Sequence, residues 1–260
     1  MNSLDCYRMR KIKITIEYDG SHYHGWQYQD NATSVQEILS KAIHKLTGED
    51  IIPDGAGRTD GGVHAYGQVA SFKTISSIPV EKFAPALNMY LPDDVSIRSS
   101  ETVEDDFHAR FSAKGKHYRY LILNRPQRSA ILASRAWLVR GTLDLDAMRE
   151  SAQYFLGHHS FKAFCAAGHS VKSFERTIFQ SEWSKDGDIL IFDAKGDGFL
   201  YNMVRIMVGT MVDIGRGRFE PKIIKDAIES GQRSILGPTA PPSGLYLVEV
   251  YYDKEQLKEY

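Results

Sequence analysis

"KIKITIEYDG", residues 11–20, decides how this chain starts to fold. Ile12, Ile14, Ile16 and Tyr18 recur at every second position, the period of a strand with one face on a core. Asp19-Gly20 then marks a turn. The next apolar pattern has a different period. In "SVQEILSKAIHKLTG", residues 34–48, Val35, Ile38, Leu39, Ala42, Ile43 and Leu46 line one face of a helix. Ser34 suits its N-cap, Glu37 completes a capping box, and Gly48 suits the exit. A half-buried strand followed by an amphipathic helix points to an α+β fold.

The same alternation continues outward. Strands are expected in "YGQVASF" and near Val95 to Val103, with a helix between them in "PVEKFAPALNMYL" despite Pro85. The second half opens with a strand in "GKHYRYLIL" and a helix in "DLDAMRESAQYFLG" capped by Asp144. A hairpin follows in "FERTIFQSEWSKDGDILIFDAKG" with Gly187 near its turn, then a helix in "LYNMVRIMVGTMVDIG" and a strand in "GLYLVEVYY". Each half reads as strand–helix–strands–helix–strand, the split βαβ plan of ferredoxin-like or RRM-like domains. The expected domains are 1–112 and 113–260, with antiparallel sheets that join into one extended sheet over a central cleft. The basic stretch from Arg125 to Arg135 is the expected crossing between the halves.

Composition narrows the class. The chain has 260 residues, 42% of them hydrophobic and 25% charged, as in ordinary soluble domains. Cys6 and Cys165 fit no metal spacing and no disulfide framework, which implies a reducing, cytoplasmic setting. The first residues carry no continuous apolar core of a signal peptide, and no run reaches membrane-spanning length.

Net charge is -1, yet it is unevenly spread. Between Phe107 and Leu143 stand Arg110, Lys114, Lys116, Arg119, Arg125, Arg128, Arg135 and Arg140, with no Asp or Glu. Such a segment is either a solvated basic face or the footprint of a polyanion.

The glycine-rich stretch "GAGRTDGGVHAYGQ", residues 55–68, holds the chemistry. Its glycines permit tight turns and close approach. Asp60 within it is either a turn aspartate or a presented carboxylate. Arg58, two positions earlier, favours an ionised Asp60, and such a carboxylate can act as a nucleophile. His22, His24 and His64 tempt a metal reading, but no third cluster with ligand spacing accompanies them.

"GRTDGGVHA" resembles the signature of the tRNA pseudouridine synthase A family, whose usual form has Ala where this chain has Gly61. "EYDGSHYHGWQ", "SVQEILSKAI", "LPDDVSI", "DFHARFSAKGKHYRY", "FLYNMVRIMVG" and "GLYLVEVYY" resemble family segments in family order and span nearly the whole chain. The resemblance implies a cofactor-free, metal-free isomerase, a homodimer, that converts uridines 38, 39 and 40 (tRNA numbering) of the anticodon stem-loop to pseudouridine. It implies two RRM-like domains with the active site in the cleft between them.

By that resemblance Asp60 is the catalytic aspartate. Tyr118 is the base-contacting ring, although a tyrosine alternating with Tyr120 on one strand also reads as core. Arg205, the lone charge in an apolar helix segment, is either a snorkelling surface residue or a buried guanidinium that needs a carboxylate. The family pairs it with the catalytic aspartate, which leaves Arg58 to contact RNA. Two other functions remain from the residues themselves. One is a non-catalytic RNA-binding module, for which an RNP-type aromatic strand is missing. The other is a metal-dependent hydrolase built on Asp60 and His64.

Overall fold

The computed structural model describes residues 9–168 and 172–257. Cys6 and the first residues of the chain, read above for a targeting signal, lie outside them. The chain divides into two compact units, Met1–Ala113 and Lys114–Tyr260.

The first unit begins with β1 (Arg10–Tyr18), where Ile12, Ile14 and Ile16 are completely buried. Each such side chain contributes about 1.5–3 kcal/mol relative to exposure. Helix α1 (Val35–Thr47) follows, capped by Ser34, whose hydroxyl accepts the Glu37 N–H. The Glu37 carboxylate is held below its ordinary pKa by Lys41 and by the Ser34 backbone N–H, which closes the capping box. Gly48 leaves the helix in the left-handed region at φ 77°.

Three strands and a helix complete the unit: β2 (Asp54–Gly55), β3 (His64–Thr74), α2 (Val80–Asn88) and β4 (Val95–Val103). Pro85 sits inside α2, and the Asn88 amide closes two hydrogen bonds on Ile97 of β4, at 2.9 and 2.7 Å. The strands run antiparallel in the order β4-β1-β3, with β2 paired to β3. This is the split βαβ order expected from the sequence.

The second unit repeats the plan. It holds β5 (Gly115–Asn124), β6 (Trp137–Val139), α3 (Leu145–Gln153), β7 (Gly157–Ser160), β8 (Glu175–Asp186), β9 (Ile189–Gly196), α4 (Met203–Gly215), α5 (Ile223–Ser230) and β10 (Leu245–Tyr251). Its strands run in the order β10-β5-β9-β8-β7, with β6 parallel to β5. Asp144 caps α3 by accepting the N–H groups of Asp146 and Ala147. Gly187, at φ 55°, turns the β8–β9 hairpin. Except for Arg205, every residue of α4 is buried, because its apolar positions run all round rather than along one stripe.

Two expectations change. The stretch from Arg125 to Arg135 is no crossing between halves; it links β5 to β6 inside the second unit. The elements β2, β6, β7 and α5 were not foreseen. Among the described residues no helix is long and apolar enough to cross a membrane.

Candidate active site

The Asp60 loop is fastened by backbone contacts from residues far away in sequence. After β2, the Ala56 N–H bonds the Val69 carbonyl at 2.7 Å, and the Gln68 amide donates to the Gly57 carbonyl at 2.9 Å. The Thr59 carbonyl accepts the Trp26 N–H at 3.1 Å, while Gly62 donates its N–H to the Tyr23 carbonyl at 3.2 Å. Asp60 itself opens a tight turn: its carbonyl accepts the Val63 N–H at 3.2 Å, with Gly62 at φ 78°.

Three glycines make these approaches possible. A Cβ on Gly20 would lie 1.9 Å from the Val63 carbonyl oxygen, and one on Gly25 2.3 Å from that of Thr59. A Cβ on Gly55 would strike the Trp26 ring at 2.4 Å. Gly61 is different. A Cβ there would meet His24 Cα at 3.5 Å, ordinary contact, so the family's usual alanine fits this loop unchanged.

Beneath the loop, the buried Tyr18 hydroxyl and the Thr59 hydroxyl are 2.8 Å apart. Burial pushes the Tyr18 phenol up to about 12, against hydrogen bonds to Thr59 and Gln68 that lower it. The phenol therefore stays neutral at working pH, a fixed strut under the turn. A bulge between Ile16 and Tyr18 shifts the β1–β3 register at this end of the strand.

Asp60 is half-buried, neither sunk in the core nor loose in solvent. Arg58 is exposed. The Arg58 Nε donates to the Gln27 side-chain oxygen at 3.2 Å. Gln27 in turn donates to Gln36 at 2.9 Å, and Gln36, buried, donates to the Pro53 carbonyl at 2.9 Å. Arg58 is thus held by an amide relay. That relay was not foreseen.

His64 is also structural within this loop. Buried, it accepts the Gly20 N–H at Nδ1 (3.1 Å) and faces Asp19 at the same distance. His22 lies on Asp94, 3.5 Å away. No group of three or more His, Cys, Asp or Glu gathers as a metal site among the described residues.

In the second unit, Tyr118 lies on β5 with 8% of its surface exposed, edge-on to Phe199 at 5.1 Å between ring centroids. Tyr120, on the same face, is the core tyrosine. It is fully buried, its hydroxyl donates to the Pro241 carbonyl at 2.7 Å, and burial raises its pKa further than Arg205 lowers it.

Arg205 is half-buried in the first turn of α4. Its Nε donates to the Ala240 carbonyl at 2.8 Å and its Nη1 to the Asn202 side chain at 2.7 Å. Asn202, just before the helix, is the one non-glycine residue at positive φ (60°) among the described residues. Strain of this kind persists where the surroundings over-determine it, and here it aims an amide at the guanidinium.

A profile described as tRNA pseudouridine synthase matches residues 14–112 and 151–253. The chain belongs to the tRNA pseudouridine synthase family. Relatives named tRNA pseudouridine synthase A agree. That of Ruminiclostridium cellulolyticum is 51% identical, over 94% of this chain and 100% of its own length. That of Acetivibrio thermocellus is 52% identical over the same shares. One solved structure, of a Cbf5-Nop10-Gar1 complex, resembles the chain at a TM-score of 0.33 and 12% identity. The likeness covers 77% of this chain and 54% of that one.

Proposed function

We propose that this member of the tRNA pseudouridine synthase family isomerises uridines 38, 39 and 40 of the tRNA anticodon stem-loop, with Asp60 as the nucleophile. Membership in that family makes the protein an isomerase acting on tRNA uridine. The reaction breaks the bond between C1′ and N1, turns the uracil while it is held, and joins C5 to C1′. The proton lost from C5 is balanced by one gained at N1. A stacked, paired uridine shields both the sugar carbon and the ring edge, so the nucleotide must first be extruded.

The observation that carries the reading is the Asp60 turn. A carboxylate on a backbone clamped at Gly57, Thr59, Gly62 and Val63 is positioned before substrate arrives, and positioning is a large part of the barrier. In the proposal Tyr118 supplies a ring for the loosened base, as aromatic faces do for unstacked nucleotides. Arg205 stabilises the anionic Asp60, and its fork, already oriented by Ala240 and Asn202, suits a carboxylate. Arg58, exposed and propped by Gln27, contacts RNA and helps displace the target base. No cofactor enters these steps. The working form is a cytoplasmic homodimer; a monomer mass in sedimentation at working concentration would overturn the dimer.

The test is incubation of unmodified tRNA with wild-type and Asp60→Asn protein in chelator. Pseudouridine is read by a chemical label, since the isomers share one mass. Wild-type protein should form product, and Asp60→Asn should form none while binding tRNA with little change. Turnover by Asp60→Asn would overturn the nucleophile assignment, and a wild type active only with metal would overturn the metal-free reaction.

A further inference from the structure

The loop joining β4 to the end of the first unit carries a large aromatic ring outside the core. Phe111 is 75% exposed. An exposed ring on a floppy loop would mean little, but this loop is rigidly built. The Ser112 N–H bonds the His108 carbonyl at 2.9 Å, and the Ser112 hydroxyl accepts the His108 N–H at 3.0 Å. The Arg110 N–H donates to His108 Nδ1 at 3.1 Å. Ala109, completely buried, donates its N–H to the Ser71 hydroxyl of β3 at 3.2 Å.

Such a scaffold holds the ring in place with cationic and aromatic neighbours. The His108 ring lies 4.4 Å from the Phe111 ring, and the Arg110 guanidinium 5.7 Å from its centroid. A flat exposed ring beside a guanidinium is the arrangement that takes up a nucleobase with its phosphate. Asp54 faces His108 at 3.7 Å, but the charge that follows the ring along the sequence supports that partner. Glu104, Asp105 and Asp106 precede the loop, but every charged residue from Arg110 to Leu143 is a cation.

We propose that Phe111 is a stacking platform for a nucleobase of bound tRNA other than the one that reacts. The inference rests on the tRNA reading above. The base differs because of distance: Ser71, which anchors the loop, lies six residues along β3 from Ala65, the partner of Tyr18 under the Asp60 turn. Six residues of strand span about 20 Å, several nucleotides from the reacting sugar. Phe111 therefore positions the RNA and takes no part in the chemistry.

The experiment measures tRNA affinity of full-length wild type, Phe111→Ala, Phe111→Leu and Phe111→Trp by fluorescence anisotropy, with sedimentation of each. Removing one base–aromatic stack should weaken Kd by about 5- to 150-fold. Phe111→Leu, which keeps apolar area without a flat face, should stay close to the alanine variant, whereas Phe111→Trp should bind like wild type and be quenched by tRNA. Four results would overturn the proposal. They are an unchanged Kd in Phe111→Ala, full rescue by leucine, an unquenched tryptophan, or a fall in mass showing that the ring joins two copies of the chain. A wild type that neither binds nor modifies tRNA would overturn both this inference and the function beneath it. A wild type that does both, beside an indifferent Phe111→Ala, would overturn this one alone.

Discussion

Gly25→Ala tests whether the position of the Asp60 turn, and not merely its presence, sets the rate. Gly25 has φ 89°, where an alanine costs about 1–2 kcal/mol. Its new Cβ would stand 2.3 Å from the Thr59 carbonyl oxygen and 3.1 Å from the Asp60 carbonyl carbon. Carbon and oxygen tolerate about 3.3 Å, so the loop must move by about 1 Å, and overpacking of this kind costs about 1–3 kcal/mol. The sum is about 2–5 kcal/mol, roughly 8–20 °C of melting temperature for a unit of this size. A displacement of about 1 Å at a reacting group costs on the order of 100-fold in rate. Gly48→Ala is the matched control. It has φ 77° but nothing within 4 Å of the added carbon, so it carries the backbone strain without the collision. The assay is kcat/KM on an anticodon stem-loop substrate below both melting temperatures, beside the melts themselves. Gly48→Ala should lose about 1–2 kcal/mol of stability and keep its rate. If Gly25→Ala matches Gly48→Ala in both readouts, the turn is not the rate-setting element.

Three other substitutions are informative. Arg205→Lys removes the fork that spans Ala240 and Asn202 and should lower kcat/KM at least about 100-fold with the fold retained; a near-normal rate would make Arg205 only a helix anchor. Tyr118→Ala should harm turnover at least as much as Tyr118→Phe, since only alanine removes the face as well as the hydroxyl, and two indifferent variants would return Tyr118 to core packing against Phe199. Asp193 is buried on β9, where His117 reaches it at 2.6 Å and Arg119 grips it at 3.0 and 3.1 Å. Burial alone would raise its pKa, but the hydrogen bonds from His117 and Arg119 outweigh burial and hold it below the ordinary carboxylate value. A depressed folded pKa means the contribution is present above about pH 4 and lost as pH falls through the folded value. Asp193→Asn should therefore lower the melting temperature at pH 7 and flatten the acid limb of stability below about pH 4; an unchanged acid limb would refute the assignment.

Much of the fold was legible because its main elements announce themselves locally. The alternation of Ile12, Ile14 and Ile16, the Ser34 cap and the Gly187 turn each follow from a few neighbouring residues. The unforeseen elements lack that local signal. Strand β6 is three residues held by parallel pairing to β5, β7 is the polar edge strand "GHHS", and α5 is eight residues with a short apolar face. The site divides in the same way. The glycines around Asp60 mark it as a candidate carboxylate in the sequence, whereas nothing there marks the Gln27–Gln36 relay or the Tyr18 strut. Those partners lie 9 and 41 residues apart, and no spacing rule connects them.

The strut under the turn has a consequence in time. Tyr18 belongs to the first strand and Thr59 to the loop, and their hydroxyls meet only when β1 and β3 have paired around them. Closing contacts across such long stretches of chain is the slow part of folding. A partly folded first unit therefore has no crude version of the site to offer. On heating, the Asp60 turn cannot fray independently of the sheet below it, so activity and the sheet should disappear in one cooperative step.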